Sequence, residues 1–219
     1  MTARINFERE LTQLHERILL MSSMVEEMLQ QSIEALKNKD ISLAQKVIKK
    51  DDGIDEKELE IQDFCIQLIA RQRPLAKDLR LITASLKIIT DLERIADHAV
   101  DISKITLQLS EESYIKPLID IPRMAELAKL MMKDSIDSYV KENAEFAKEV
   151  AEKDDEIDHL FKQIYRELLV YMMEDPSKIT QATHFLFVAR YLERVADHTT
   201  NICEAVIYLV TGIYKDLNA

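Results

Sequence analysis

The chain has 219 residues, 47% of them apolar and 32% charged, and 40 acidic against 29 basic side chains give a formal net charge of −11. With 2 glycines, 4 prolines and no tryptophan it has few sites for the φ > 0 turns that hairpin-rich β folds require. An almost wholly helical protein with short loops is expected, long enough for one large domain or two repeated ones.

Charge and cysteine usage narrow the class further. No basic face of the kind that holds a nucleic-acid backbone is visible, so nucleic acid is not an expected partner. Cys65 and Cys203 each sit inside an apolar helical pattern, which predicts buried, reduced thiols rather than a disulfide framework or a thiolate zinc site. The first ten residues mix both charges without an apolar h-region, so no signal peptide is expected. No apolar run approaches the roughly 18–20 residues of a membrane span. A soluble, cytoplasmic protein follows as the expectation.

In chain order, the first helix is predicted over 3–37, where Leu11, Leu14, Ile18, Met21, Val25, Met28 and Leu36 step by three and four. Asp40 is a good N-cap for a second helix over 41–72, with Ala44, Val47, Ile48, Leu59, Phe64 and Leu68 as its apolar contacts. Gly53 interrupts that helix with a local cost of about 1 kcal/mol, which marks a close approach or a bend. Arg71, Arg73 and Pro74 close it: the arginines suit the negative end of the macrodipole, and proline suits a helix start. The third helix, 75–110, carries two apolar stripes. One runs Leu75, Leu79, Ile82, Leu86, Ile89 and lands on Glu93; the other contains Leu81, Ile88, Leu92, Ile95, Ile102 and Leu109. Two stripes imply two packing neighbours and a three-helix bundle. Residues 110–122, with Pro117 and Pro122, read as a linker. Beyond it helix four spans 124–141, Asn143 caps helix five, and helix six runs to about Tyr214. The Met131–Met132 and Met172–Met173 pairs read as core filler.

The pattern restarts because the chain repeats itself. Asp91-Leu92-Glu93-Arg94-Ile95-Ala96-Asp97-His98 returns as Tyr191-Leu192-Glu193-Arg194-Val195-Ala196-Asp197-His198. The stretch from Asp40 to Asp55 returns as Asn143 to Asp158, matching at Ala44, Val47, Lys50, Asp51, Asp52, Ile54 and Asp55. The expected fold is therefore all-α: two tandem three-helix bundles, six long antiparallel helices, with units at 1–112 and 123–219 and a linker at 113–122.

The repeated stretches carry carboxylates at i and i+4, which stacks them on one helical face. The turn at Pro74 is short, so helices two and three must be antiparallel neighbours. Asp51 and Asp97 are equidistant from Pro74, and so are Asp55 and Glu93. In the second unit Asp154 with Asp197, and Asp158 with Glu193, are centred between Asp175 and Pro176. Each hairpin thus sets one carboxylate pair against another. Asp101 lies four residues beyond Asp97 and extends the first set; Asn201 is its uncharged counterpart. Two carboxylates at 4–5 Å repel by roughly 3–4 kcal/mol at an effective dielectric of 20, so four need protons, arginines or a cation. Oxygen-only donors favour Mg, Mn, Ca or Fe over thiophilic metals. Arg94, His98, Arg194 and His198 are candidates for a surrounding role, the histidines lying off the carboxylate face. The bland alternative is a solvated surface with i, i+3 ion pairs such as Arg94–Asp97.

Two copies of Glu-Arg-[Ile/Val]-Ala-Asp-His, each closing a three-helix unit with an upstream Asp-x-x-Ile-Asp, resemble the PhoU family of phosphate-signalling regulators over essentially the whole chain. The resemblance implies two three-helix bundles and a cytoplasmic protein, often a homodimer. It also implies multinuclear iron or zinc clusters on Asp51/Asp55, Glu93/Asp97, Asp154/Asp158 and Glu193/Asp197, with Mg or Mn as further possibilities from the donor chemistry. Asn201 departs from the acidic Asp101 position, which puts equal nuclearity of the two sites in question. The implied role is non-catalytic: restraint of phosphate uptake and repression of the phosphate-starvation regulon, by linking the ATPase of the phosphate ABC transporter (PstB-like) to a sensor histidine kinase (PhoR-like). The alternatives are a carboxylate-bridged, ferritin-like di-metal redox protein and a purely structural interaction module. The first needs Glu-x-x-His within a helix, and here histidine follows Glu93 at i+5. No nucleophile set and no glycine-rich phosphate loop is present, so an enzyme is not expected.

Overall fold

The computed structural model describes residues 2–72 and 74–217. The chain is all-α: α1 (Thr2–Asn38), α2 (Ile41–Gln72) and α3 (Ala76–Leu109) form one three-helix unit. The second unit contains α4 (Asp120–Val140), α5 (Ala144–Ala151), α6 (Asp154–Glu174) and α7 (Ile179–Thr211), with a single 3₁₀ turn at Pro176–Lys178.

Side-chain caps set the starts of α2, α5 and the 3₁₀ turn. The Asp40 carboxylate accepts from the Leu43 amide at 2.9 Å, and Asn143 Oδ1 accepts from the Glu145 and Phe146 amides at 3.1 Å each. Asp175 does the same at the second hairpin tip, accepting from the Ser177 amide at 3.0 Å. The ends of α1 and α4 each turn through a left-handed residue that is not glycine, Lys39 (φ 55°) and Glu142 (φ 46°), which are equivalent positions of the repeat. α7 ends on Gly212 at φ 73°.

Several expectations change. The predicted fifth helix is two: a turn at Glu152 and Lys153 separates α5 from α6. Asp154, Asp155 and Glu156 then occupy the first turn of α6, where the positive end of the helix dipole favours them. Gly53 has neither assigned role: α2 passes through it unbroken, and a Cβ there would meet only the end of Met24 at 4.0 Å. Residues 120–122, expected in the linker, form the first turn of α4. Pro74 precedes the first turn of α3 rather than lying within it, and Arg73 lies outside the described residues. Leu59 on α2, Leu75 just before α3, Leu79 on α3 and Met173 on α6 are exposed, Met173 by 84%. Of the apolar stripe that begins at Leu75 and Leu79, Ile82 and Ile89 are buried and Leu86 is half-buried.

The two units are packed as one body. α3 touches α1, α2 and α7, and α1 also meets α4. Three pairs across α3 and α7, Asp91 with His198, His98 with Tyr191 and Arg80 with Leu209, share one midpoint in sequence, so these helices run antiparallel about an internal two-fold relation. Tyr139 of α4 is fully buried and its hydroxyl bonds Ser85 of α3 at 2.8 Å. The 110–119 connection is tied down at its middle, to one unit on each side. Tyr114 donates to the Leu36 carbonyl at 2.5 Å, and Gln181 of α7 accepts from the Ile115 amide at 2.6 Å.

Leu92 and Leu192 are equivalent and fully buried. Leu92→Ala and Leu192→Ala should each cost about 2–5 kcal/mol through lost burial and the cavity left behind. Urea unfolding checks this: the midpoint should fall in both variants while the slope stays at the wild-type value.

Candidate metal centre

The α2/α3 hairpin has the register expected from its turn. Thr90 donates to Glu58 Oε1 at 2.8 Å, and that pair is equidistant from Pro74, as are Asp51 with Asp97 and Asp55 with Glu93. In the second hairpin the Arg190 guanidinium lies 6.0 Å above the Phe161 ring, a pair with the same midpoint as Asp154 with Asp197. Asp51, Asp55, Glu93 and Asp97 thus lie near one another between α2 and α3, with Asp55 exposed, and Asp154, Asp158, Glu193 and Asp197 do so between α6 and α7, with Glu193 buried.

Proton affinities record the crowding. Glu93 is pushed up to about 7, first by burial and then by Asp97, with Glu58 and Asp55 adding to it and Arg94 opposing. Glu193 is likewise raised to about 7 by burial, then Asp197, with Asp158 and Asp154 behind it and Arg190 opposing. Burial and then Asp197 and Asp158 raise Asp154 to about 6. Asp51 is raised by burial, then by Asp97 and Asp55, against the pull of Lys104.

The two sites are compensated from different positions. In the first, Arg94 lies 3.4 Å from Glu93 and 3.0 Å from Asp97. In the second, Arg190 pairs with Glu193, and Lys162 reaches Asp158 at 2.9 Å. Arg194, the sequence counterpart of Arg94, acts instead as a positive charge near His98. Glu58 and Arg190 were not singled out from the sequence. Each lies three residues from a quartet acid, Asp55 and Glu193, and that spacing on one helical face is the signal that marks them.

Three expected members, Asn201, His98 and His198, engage the α3–α7 seam, and Asp101 lies between that seam and the first quartet. Asn201 donates from Nδ2 to Asp91 of the first unit at 3.0 Å, across the α3–α7 seam. Asp101 is paired with Lys104 at 3.2 Å. His198 Nδ1 lies 2.9 Å from Asp91 Oδ1, and His98 stacks on Tyr191 with centroids 5.5 Å apart. The histidine rings face each other at 5.6 Å. They belong to the seam, a hundred-degree step around the helix from the aspartates they follow.

As placed, no three His, Cys, Asp or Glu side chains among the described residues converge on one point that would enclose an ion. The lysines and arginines above hold the carboxylates toward themselves. The donor set nonetheless fits a hard cation best at the second site. Glu193 is only 9% exposed, and its Oε2 is buried without a partner, as is Asp154 Oδ1. Buried carboxylate oxygens left unpaired are costly, and a cation satisfies them.

A model of the PhoU domain matches residues 18–106 and 121–206. The chain belongs to the PhoU family. It is 48% identical over 219 residues, all of both chains, to the phosphate-specific transport system accessory protein PhoU homolog of Clostridium acetobutylicum. It is 43% identical over 204 residues to the protein of the same description from Aquifex aeolicus, covering 93% of this chain and 92% of that one. The crystal structure of PhoU from Pseudomonas aeruginosa superposes with a TM-score of 0.90 at 36% identity, covering 94% of this chain and 100% of that one. The phosphate transport system regulatory protein PhoU from Streptococcus pneumoniae gives 0.89 at 32% identity, covering 96% and 99%. Within this PhoU chain no described helix is long and apolar enough to cross a membrane, and both cysteines are buried and free.

The raised glutamates have a consequence for stability. Between their ordinary value of 4.5 and about 7 the folded chain holds more protons at Glu93 and Glu193 than the unfolded chain. Their contribution is complete below 4.5 and is lost as pH rises through 7. His98 works oppositely, since burial, His198 and Arg194 lower it from 6.5 to about 4, so its effect ends above 6.5. In the presence of a chelator the melting temperature should therefore fall between pH 6.5 and 8, and the fall should shrink in Glu93→Gln/Glu193→Gln. An equally steep fall in that variant would assign it to other groups.

Proposed function

We propose that this protein is a non-catalytic regulator of phosphate homeostasis that acts as a metal-loaded adaptor. In this reading it restrains phosphate uptake and represses the phosphate-starvation regulon, by linking the ATPase of the phosphate ABC transporter to a sensor histidine kinase. Membership of a family whose relatives are described as accessory proteins of the phosphate-specific transport system supports the setting. The observation that carries the metal part is the duplicated carboxylate quartet, with Glu193 Oε2 and Asp154 Oδ1 buried and unpartnered in the second copy.

Asp51, Asp55, Glu93 and Asp97 would hold the ions of the first site, and Asp154, Asp158, Glu193 and Asp197 those of the second. Bound iron, zinc or another divalent cation supplies positive charge between two helices and so ties α2 to α3 and α6 to α7. The surrounding side chains make room for it: Arg94 and Arg190 swing off Glu93 and Glu193, and Lys162 off Asp158. The proposed state is a cytoplasmic homodimer.

Elemental analysis of metal-replete protein tests the sites. Wild type should carry stoichiometric metal. Glu93→Ala/Asp97→Ala and Glu193→Ala/Asp197→Ala should each lose the ions of one site and keep those of the other. Wild-type protein with only trace metal would end this part of the reading. For the adaptor role, tagged wild type should retain the transporter ATPase and the kinase in a pull-down. The quartet variants should retain less, and cells that carry them should take up phosphate without restraint.

A further inference from the structure

The seam between α3 and α7 contains one groove twice, related by the internal repeat, and the copies are furnished differently. In one copy the groove is closed by its own rings. Phe187 stacks on Tyr191 at 6.4 Å between centroids, and Tyr191 stacks on His98 at 5.5 Å. At the matching positions of the other copy stand Lys87 and Asp91, and Ala205 takes the place of Ile105. Tyrosine to aspartate and isoleucine to alanine both remove bulk. The space that results is a cavity of about 410 Å³, bounded by Leu86, Thr90, Asp91, Glu204 and Ala205.

Its polar walls are rich in acceptors. Asp91 is anchored through Oδ1, which accepts from His198 Nδ1 at 2.9 Å and Asn201 Nδ2 at 3.0 Å. Its Oδ2 is neither buried nor hydrogen-bonded among the described residues. Glu204 replaces Lys104 of the closed copy, so the local charge is reversed as well as the volume; its Oε1 accepts from the Leu217 amide at 2.8 Å, and its Oε2 has no hydrogen bond among the described residues. The hydroxyl proton of Thr90 is directed to Glu58 or the Leu86 carbonyl, 2.8 and 3.3 Å away. Lys87 of the wall lies 4.4 Å over the Tyr214 ring, engaged with the C-terminal segment.

We propose that this cavity binds an alkyl-guanidinium or alkyl-ammonium group, with its head between Asp91 and Glu204 and its stem along Leu86 and Ala205. A guanidinium carries five donors and no acceptor, which complements a wall of carboxylates. An aliphatic stem buries well against the apolar remainder. Two sources carry this chemistry: an arginine side chain on a partner polypeptide, and a free diamine-like cation.

NMR titration of the full chain at low salt with agmatine and with N-acetyl-arginine methylamide tests the site. Both probes should give saturable shifts at the methyl groups of Leu86 and Ala205. Glu204→Lys, which installs the residue of the closed copy, should weaken both by at least about tenfold, as should Asp91→Asn. If Asp91→Asn unfolds more readily than wild type, Glu204→Lys alone decides. Binding should persist in Glu93→Gln/Glu193→Gln, which separates the cavity from the carboxylate quartets. Tighter binding of the capped arginine would assign the polypeptide source; tighter binding of agmatine would assign the free cation. Absence of saturation up to about 10 mM of either probe, or wild-type affinity in Glu204→Lys, overturns the proposal.

Discussion

The antiparallel packing of α3 against α7 decides where the side chains of each repeated motif go. Each helix lies along its own hairpin partner on one side and the other unit on the opposite side. That placement puts the glutamate and aspartate of each repeated motif toward α2 or α6, and turns the histidine that follows toward the seam. A single residue of sequence separates the two destinations, because one residue is about 100° of helix. The repeated Asp-His pair is therefore a fork, with its acid in one groove and its ring in another.

The hairpins impose an electrostatic load that their surroundings then relieve. Helices bound by short turns at Pro74 and at Asp175–Pro176 have no freedom to slide, so the facing acids stay facing. Relief comes from protons, as the elevated Glu93, Glu193 and Asp154 indicate, and from nearby cations. The two units solve the problem with unrelated residues, Arg94 in one and Arg190 in the other. The duplicated acids with independently placed counter-charges argue that the acids are the constrained feature and the cations the adjustable one.

Much of this could be read from the chain. Periodicity, caps and glycine scarcity mark the helices, and the proline-bounded turns fix which carboxylates oppose. What resisted reading is long-range or local in a way that periodicity does not encode. The partner of His198 is Asp91, on a helix of the other unit, and no spacing rule connects them. Arg190 escapes a search for i, i+4 acids because it is a base at i−3 from Glu193. The break between α5 and α6 falls in a stretch that shares seven identities with an unbroken part of α2. The two stretches differ at the break itself, where Ala151 and Glu152 replace Ile48 and Lys49, and beyond it Glu156 stands where α2 has Gly53, a third acid in succession that suits a helix start better than a helix interior. The exposed Leu75 and Leu79 mislead for a different reason, since a stripe says which residues share a face and not whether that face is covered.

Lys39 and Glu142 hold the left-handed conformation for which glycine is the easy choice. Lys39 reaches the segment that connects the units, at the Glu112 carbonyl and 4.3 Å over the Tyr114 ring, and Glu142 crosses to the other unit, where it pairs with Lys77 of α3 at 2.8 Å. A glycine at either corner would ease the backbone and undo a clasp. The scarcity of glycine noted in the composition thus has a structural meaning. The two corners where each unit turns back are also the points at which it grips what lies beyond it, so relaxation of the turn and cohesion of the pair are opposed within a single residue.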